Sequence, residues 1–221
     1  MAKAGLRMVY ARLLRRYGPQ HWWPGDTPFE VMVGAVLTQN TAWVNVERAI
    51  ANLVEANALD PARMAAMSET RLGELLRPSG YFNVKARRLR SFCRWYLATG
   101  GYDRLSMLDT DDLRRQLLAV HGVGPETADD ILLYAFTRPV FVIDAYTRRI
   151  FGRLGLITGD EDYETLRRCF ETGLKRDVPL YNEYHALIVR HGKDVCRPRP
   201  LCGECCFARS ACAYYRDASN P

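Results

Sequence analysis

Apolar residues recur at helical spacing along almost the whole of this 221-residue chain, and alternation with a period of two is nearly absent. The spacing predicts helices at about 4–16, 28–39, 43–55, 60–66, 69–76, 83–98, 110–119, 125–136, 145–153, 162–174 and 180–191. The one β-branched run, Val140-Phe141-Val142-Ile143, is short and reads as a buried connector leading into a helix. Pro24-Gly25, Pro78-Ser79-Gly80, Gly100-Gly101, Gly122-Val123-Gly124, Gly155 and Gly159 separate the segments. There is no internal repeat and no low-complexity tract. From Cys196 onward the chain is rich in Pro, Cys and Gly and cannot be one regular helix. The fold class is therefore all-α, with a small appendix organised by a metal centre.

With 48% hydrophobic and 25% charged residues, the chain can bury a real core as one large domain or two small ones. A net charge of +6 favours a polyanionic partner. No apolar run approaches the roughly 20 residues of a membrane helix. Residues 1–24 hold no Asp or Glu and carry Lys3, Arg7, Arg12, Arg15 and Arg16, a superficial likeness to a transit peptide. Leu6, Val9, Leu13 and Leu14, however, make a helical stripe, so a structural first helix and a cytoplasmic, nucleoid-associated location are expected.

Chemistry concentrates in His121-Gly122-Val123-Gly124-Pro125-Glu126-Thr127-Ala128 and at Asp144. Leu113, Leu117, Leu118 and Val120 form one helical stripe, opened by Asp109 and Thr110 as capping candidates. Pro125 suits the first turn of the next helix, whose stripe is Ala128, Ile131, Leu132 and Ala135. Gly122 and Gly124 permit a tight turn in which backbone N–H groups can approach a phosphate; a plain connector has the same pattern. Asp144 before Ala145-Tyr146-Thr147 reads either as a helix N-cap or as a carboxylate that stabilises positive charge on a sugar. His121, His185 and His191 form no recognisable ligand spacing.

Five of the seven cysteines fall within 196–212, as Cys196-x5-Cys202-x2-Cys205-x6-Cys212, with Cys206 competing for the third position. Without a secretory signal a disulfide framework is disfavoured. Four thiolates in so short a loop suit an iron–sulfur cluster, or zinc, although the matched knuckles of a zinc ribbon are lacking. Cys93 and Cys169 lie on expected helices and read as ordinary buried residues.

Together these features resemble the endonuclease III superfamily of DNA base-excision glycosylases over nearly the whole chain. The likeness rests on Leu37-Thr38-Gln39-Asn40-Thr41, Gly80-Tyr81-Phe82-Asn83-Val84-Lys85-Ala86, the hairpin of 122–128, Asp144 and the C-terminal cysteines. It implies a two-domain helix-hairpin-helix fold, with a six-helix barrel at 25–136 and a second domain from 1–24 and 137–221, DNA and the flipped base lying between them. It also implies a [4Fe–4S] cluster on Cys196, Cys202, Cys205 and Cys212. The first cysteine gap is one residue shorter than the family's, and the last matches only if counted from Cys206. By the same resemblance Gln39 and Asn40 reach into the duplex, Gln39 standing in for the extruded nucleotide, while Gly122, Val123 and Gly124 hold the backbone. Asn83 and Lys85, with Arg87, Arg88 and Arg90, serve the opposite strand or phosphates; an Arg-rich face is also simply a solvated one.

Glu126 stands where strand-cleaving members carry lysine, and a carboxylate cannot form a Schiff base with C1′, so lyase chemistry is expected to be absent. In the first turn it also complements the helix dipole. His21-Trp22-Trp23-Pro24, Trp43 and Glu126 are similar to the 3-methyladenine DNA glycosylase III branch. There Trp22, Trp23, Pro24 and Trp43 would line a pocket whose aromatic faces attract a cationic purine; as core residues the tryptophans would only plug the interior. The expectation is a monomeric, monofunctional hydrolase that removes alkylated purines such as 3-methyladenine from duplex DNA, with Asp144 and Glu126 as catalytic-site residues. A mismatch or oxidised-base glycosylase, or a non-catalytic structure-specific DNA-binding protein, would use the same scaffold.

Overall fold

The structure is a computed structural model that describes residues 3–22 and 25–219. Among these residues the regular structure is helical, with no strand. The chain divides into two compact units, 1–22 with 139–221 and 23–138. Helix α1 (Lys3–Tyr17) belongs to the first unit, and α2 (Pro28–Leu37), α3 (Trp43–Glu55), α4 (Pro61–Ala66), α5 (Glu69–Leu76), α6 (Phe82–Ala98), α7 (Gly101–Ser106), α8 (Thr110–Leu118) and α9 (Pro125–Asp130) to the second.

In unit 23–138, side-chain caps decide where helices begin. Thr27 accepts the N–H of Glu30 before Pro28, Asp60 that of Arg63 before Pro61, and Asp109 that of Asp112. Such a cap contributes about 1 kcal/mol. The apolar stripes then merge: Val33, Val36 and Leu37 of α2 pack with Val46, Ile50 and Leu53 of α3, Leu72 and Leu76 of α5, and Leu89 and Cys93 of α6.

Three local outcomes differ from the sequence expectation. Helix α2 ends at Leu37, because the Thr38 hydroxyl donates to Gly34 O (2.7 Å) and Asn40 turns left-handed at φ 55°. Gln39 and Asn40 are thereby lifted off the helix. Residues 125–136 do not form one α-helix: α9 gives way to a π-helical turn, Ile131–Ala135, closed by Phe136 N–H on Ile131 O (3.2 Å). All five of its side chains are buried, so packing overrides regular hydrogen bonding there. Finally, Gly100-Gly101 does not open a loop. Both glycines have positive φ, yet α7 follows at once, its Tyr102 N–H held by the Tyr96 hydroxyl (3.0 Å).

The other unit contains α1, α10 (Ala145–Arg153), α11 (Tyr163–Gly173), α12 (Val178–Asp194) and the short α13 (Ala208–Ala211) and α14 (Ala213–Ser219). Its core is aromatic. Phe141 stacks on Phe170 at 4.4 Å, and Tyr184 meets Phe141 edge-on at 5.7 Å. Leu6, Val9 and Leu13 bury one face of α1, and the Tyr184 hydroxyl donates to Leu6 O (2.7 Å). The β-branched run at 140–143 is a buried connector, as its length suggests. Two of its amides are held by side chains: Phe141 N–H donates to Glu171 Oε1 (3.1 Å) and Ile143 N–H to the Tyr163 hydroxyl (3.4 Å). Helices α10 and α12 approach so closely at Gly192 that a Cβ there would lie 2.4 Å from the Tyr146 ring. Among the described residues no helix is long and apolar enough to cross a membrane.

Candidate functional site

The hairpin of unit 23–138 is built by α8, a tight turn and α9. Val123 N–H closes the turn on Val120 O (3.0 Å), Gly122 takes φ 88°, and extended Gly124 caps α9. Val123 is buried, whereas Pro125 and Glu126 are exposed in the first turn of α9. Arg114 of α8 grips Asp129 of α9 through two bonds, Nε to Oδ1 (2.6 Å) and Nη2 to Oδ2 (3.1 Å), the carboxylate being wholly buried. This ion pair fixes the angle between the two helices, and no local motif announces it.

Gln39 joins the hairpin. Its Nε2 donates to Gly122 O (3.0 Å) and to the Thr127 hydroxyl (2.9 Å), and its Oε1 accepts from Arg88 Nη1. The Arg88 stem lies on Gly122, where a Cβ would meet Cγ of Arg88 at 2.3 Å. Gly122 is thus required twice, for its positive φ and for this contact. Asn40 and Asn83 are exposed. Lys85 is not: it is 1% exposed and its Nζ donates to Ser79 O (2.6 Å). Burial, with Arg88 nearby, pushes its amine down to about 8. The expected phosphate contact is therefore corrected to a structural one, while Arg87 on the same helix is exposed. Tyr81, which the sequence reading did not single out, is 73% exposed and left-handed at φ 46°. An exposed ring in a strained backbone at the head of α6 offers a stacking face.

Trp43 opens α3 half-buried, with its ring edge against Gly34 of α2 and its body on the core, so packing accounts for much of its surface. Trp22 belongs to the other unit. Trp23 and Pro24, the other expected pocket residues, lie outside the described residues.

In unit 1–22 with 139–221, Asp144 ends the buried connector and caps α10. Its Oδ1 accepts both Thr147 N–H (2.6 Å) and the Thr147 hydroxyl (2.8 Å), so the N-cap reading holds. Its Oδ2 faces Nε2 of His185 on α12 at 3.5 Å. Burial pushes the carboxyl up, but the neighbouring His185 and the two Thr147 donors outweigh it and keep Asp144 below its ordinary range. One oxygen thus serves the helix, and the other faces His185 at a buried, ionised site. The His185 ring stacks on Trp22 at 5.8 Å and 30°. His185 went unrecognised in the sequence because its partners come from two distant segments.

The cysteine loop is anchored by α10. Arg149 donates to Cys196 O (2.7 Å) and Gly192 O (2.9 Å), and Arg153 to Arg197 O, Pro198 O and, at 3.4 Å, Cys196 Sγ. Cys205 Sγ accepts Phe207 N–H (3.4 Å) and lies 3.6 Å from Nε2 of buried His191, whose Nδ1 meets the Tyr17 hydroxyl at 2.8 Å. Cys196 and Cys212 both act electrostatically on Cys205, and Cys196 and Cys202 on Cys212. Cys206 instead lies within electrostatic reach of Cys205 and of Arg12 and Arg16 on α1. Among the described residues no three Cys, His, Asp or Glu groups converge on a single-ion site. Four cysteine thiols in one short loop, with the Phe207 N–H on the Cys205 sulfur and the Arg153 guanidinium on that of Cys196, are a donor set that fits an iron–sulfur cluster.

Residues 33–176 match the HhH-GPD superfamily of base excision DNA repair proteins. A Methanocaldococcus jannaschii protein provisionally described as a DNA repair glycosylase is 47% identical over 200 residues, covering 89% of this chain and 91% of that protein. The crystal structure of Helicobacter pylori 3-methyladenine DNA glycosylase bound to 1,N6-ethenoadenine is similar with a TM-score of 0.71 and 30% identity, covering 86% of this chain and 95% of that one. A non-covalent endonuclease III–DNA complex superposes with a TM-score of 0.86 over 100% of both chains at 20% identity, a likeness of fold.

Proposed function

The chain belongs to the HhH-GPD superfamily and is a DNA glycosylase of base excision repair, and from that premise we propose that it removes alkylated purines such as 3-methyladenine from duplex DNA without cutting the strand. The observation that carries this reading is the buried Asp144 carboxylate beside the His185–Trp22 ring pair. A 3-methylated deoxyadenosine is a cation. When its N-glycosidic bond breaks, the electron pair leaves with a neutral base, and C1′ becomes oxocarbenium-like. Water then bonds to C1′ and gives up a proton. The Asp144 carboxylate stabilises the positive sugar, and the aromatic face favours the cationic base before departure.

The hairpin backbone of Gly122, Val123 and Gly124 grips a phosphate, Gln39 and Asn40 approach the duplex, and Asn83, Arg87 and the exposed Tyr81 ring meet it from the head of α6. Glu126 supplies no amine to C1′, so base release ends at an intact abasic site. Cys196, Cys202, Cys205 and Cys212 hold a [4Fe–4S] cluster, whose contribution is to cross-link the C-terminal loop. The H. pylori enzyme's ethenoadenine complex supports the purine assignment. The test is base release from a panel of duplexes carrying methylated, oxidised and mismatched bases. Release of 3-methyladenine is expected to dominate; preferential release of an oxidised pyrimidine or a mismatched thymine would assign the scaffold to another lesion.

A further inference from the structure

His185 is 4% exposed, sits mid-way along α12 and touches both features on which the proposed reaction depends. Its Nε2 lies 3.5 Å from Asp144 Oδ2, and its ring lies against Trp22. Asp144 Oδ1 is fully engaged by Thr147, so Oδ2 is the oxygen whose charge and aim matter, and His185 faces it. Other polar groups lie on the neighbouring elements. From α10 itself come Thr147 and the Tyr146 phenol, whose ring carries the Arg149 guanidinium at 5.1 Å. From α11, the Tyr163 phenol and Glu171 are turned to the amides of Ile143 and Phe141.

Resting on the reading of Asp144 as the catalytic carboxylate, we propose that His185 is a positioning residue with two separable duties. As the neutral tautomer protonated on Nε2, it donates to Asp144 Oδ2 and keeps that carboxylate ionised without adding positive charge beside the sugar. Its ring backs the Trp22 indole and fixes the aromatic wall presented to the base. The 3.5 Å separation is long for a hydrogen bond, and such contacts commonly tighten in the substrate complex.

Two substitutions separate the duties. His185→Phe keeps a ring on Trp22 but removes the donor. The acid limb of the base-release rate should then rise by about one pH unit, a roughly tenfold loss on its acid side with little change at pH 8. His185→Gln keeps an N–H donor but removes the ring. Its acid limb should stay where it is, while the ratio of 3-methyladenine released from dimethyl-sulfate-treated DNA to ethenoadenine released from a defined duplex falls about three- to tenfold. An unmoved acid limb in His185→Phe overturns the first duty, and an unmoved ratio in His185→Gln overturns the second. Nitrogen NMR of the unaltered protein near neutral pH reads the tautomer with no substitution at all, and a proton on Nδ1 rather than Nε2 overturns the assignment even where a variant fails to fold. Asp144→Asn is the separate control: if it releases base at the unaltered rate, the reading of Asp144 itself is wrong, whatever His185 does.

Discussion

Asp144 divides its work between its two oxygens, and this division makes it testable. In Asp144→Asn the amide oxygen still accepts from Thr147, so the start of α10 should survive and the melting temperature should change little. Base release should fall by about a hundred- to a thousandfold, the usual loss for one preorganised electrostatic contact. Affinity for a duplex with a non-cleavable abasic analogue should persist. Glu126 makes the companion case: borohydride treatment during turnover should trap no covalent protein–DNA adduct. Both residues stand out in the sequence because each belongs to a contiguous motif. The surroundings of Lys85 could not be read in that way. A lysine beside arginines reads as a phosphate contact, but its stem threads into the core and its ammonium ends on Ser79 O. Because burial holds its amine near 8, below its ordinary value, the unfolded chain binds the extra proton between about 8 and 10.5. Folding stability contributed through this group therefore rises with pH across that window. Lys85→Met should flatten that rise in chemical denaturation while leaving duplex affinity unchanged.

At the level of elements, most helices could be drawn from the sequence because cap, proline and stripe agree, as at Thr27-Pro28, Asp60-Pro61 and Asp109. The irregular pieces could not. The π turn of Ile131–Ala135 is chosen by burial on all sides, which leaves no periodic signature, and α7 hides behind two glycines that ordinarily mark a loop. The hairpin itself was plain, but not what stiffens it. Arg114 and Asp129 pair across α8 and α9 in nearly complete burial, so Arg114→Ala should cost about 3–5 kcal/mol in urea denaturation by stranding a buried carboxylate. Losing both partners together should cost less than the two single losses summed. Gln39 presents the same lesson from the other side. Its side chain was expected to face DNA, yet here it ties the turn through Gly122 O, Thr127 and Arg88. Insertion into a duplex would exchange those three bonds for contacts with DNA and free Arg88 for a phosphate.

Across the molecule, the charge of +6 predicts a strong salt dependence: the logarithm of duplex affinity should fall by about 0.9 per decade of salt for each phosphate neutralised. Purified anaerobically, the protein should show the broad visible absorption of thiolate-bound iron rather than stoichiometric zinc. Cys205→Ser should lose it and Cys206→Ser keep it, because Cys205 shares its surroundings with Cys196 and Cys212. The spacing of the cysteines announced a metal loop but left this choice open, since two adjacent thiols differ only in what the fold sets beside them.

The division of the chain also has a consequence in time. Helix α1 comes first in the sequence, but its apolar stripe of Leu6, Val9 and Leu13 is covered by a unit completed only from residue 139 onward, with α12 among its neighbours. At about 5–20 residues per second, a ribosome needs on the order of ten to thirty seconds to go from the end of α1 to the start of α12. Before that interval ends the segment at 23–138 is complete and has all it needs to acquire its own core, while α1 is still without α12. The newborn chain therefore carries an uncovered basic, amphipathic helix ahead of a segment that is already able to fold. Such a segment is a natural client for a holding chaperone during synthesis, and it loses that character once α12 emerges.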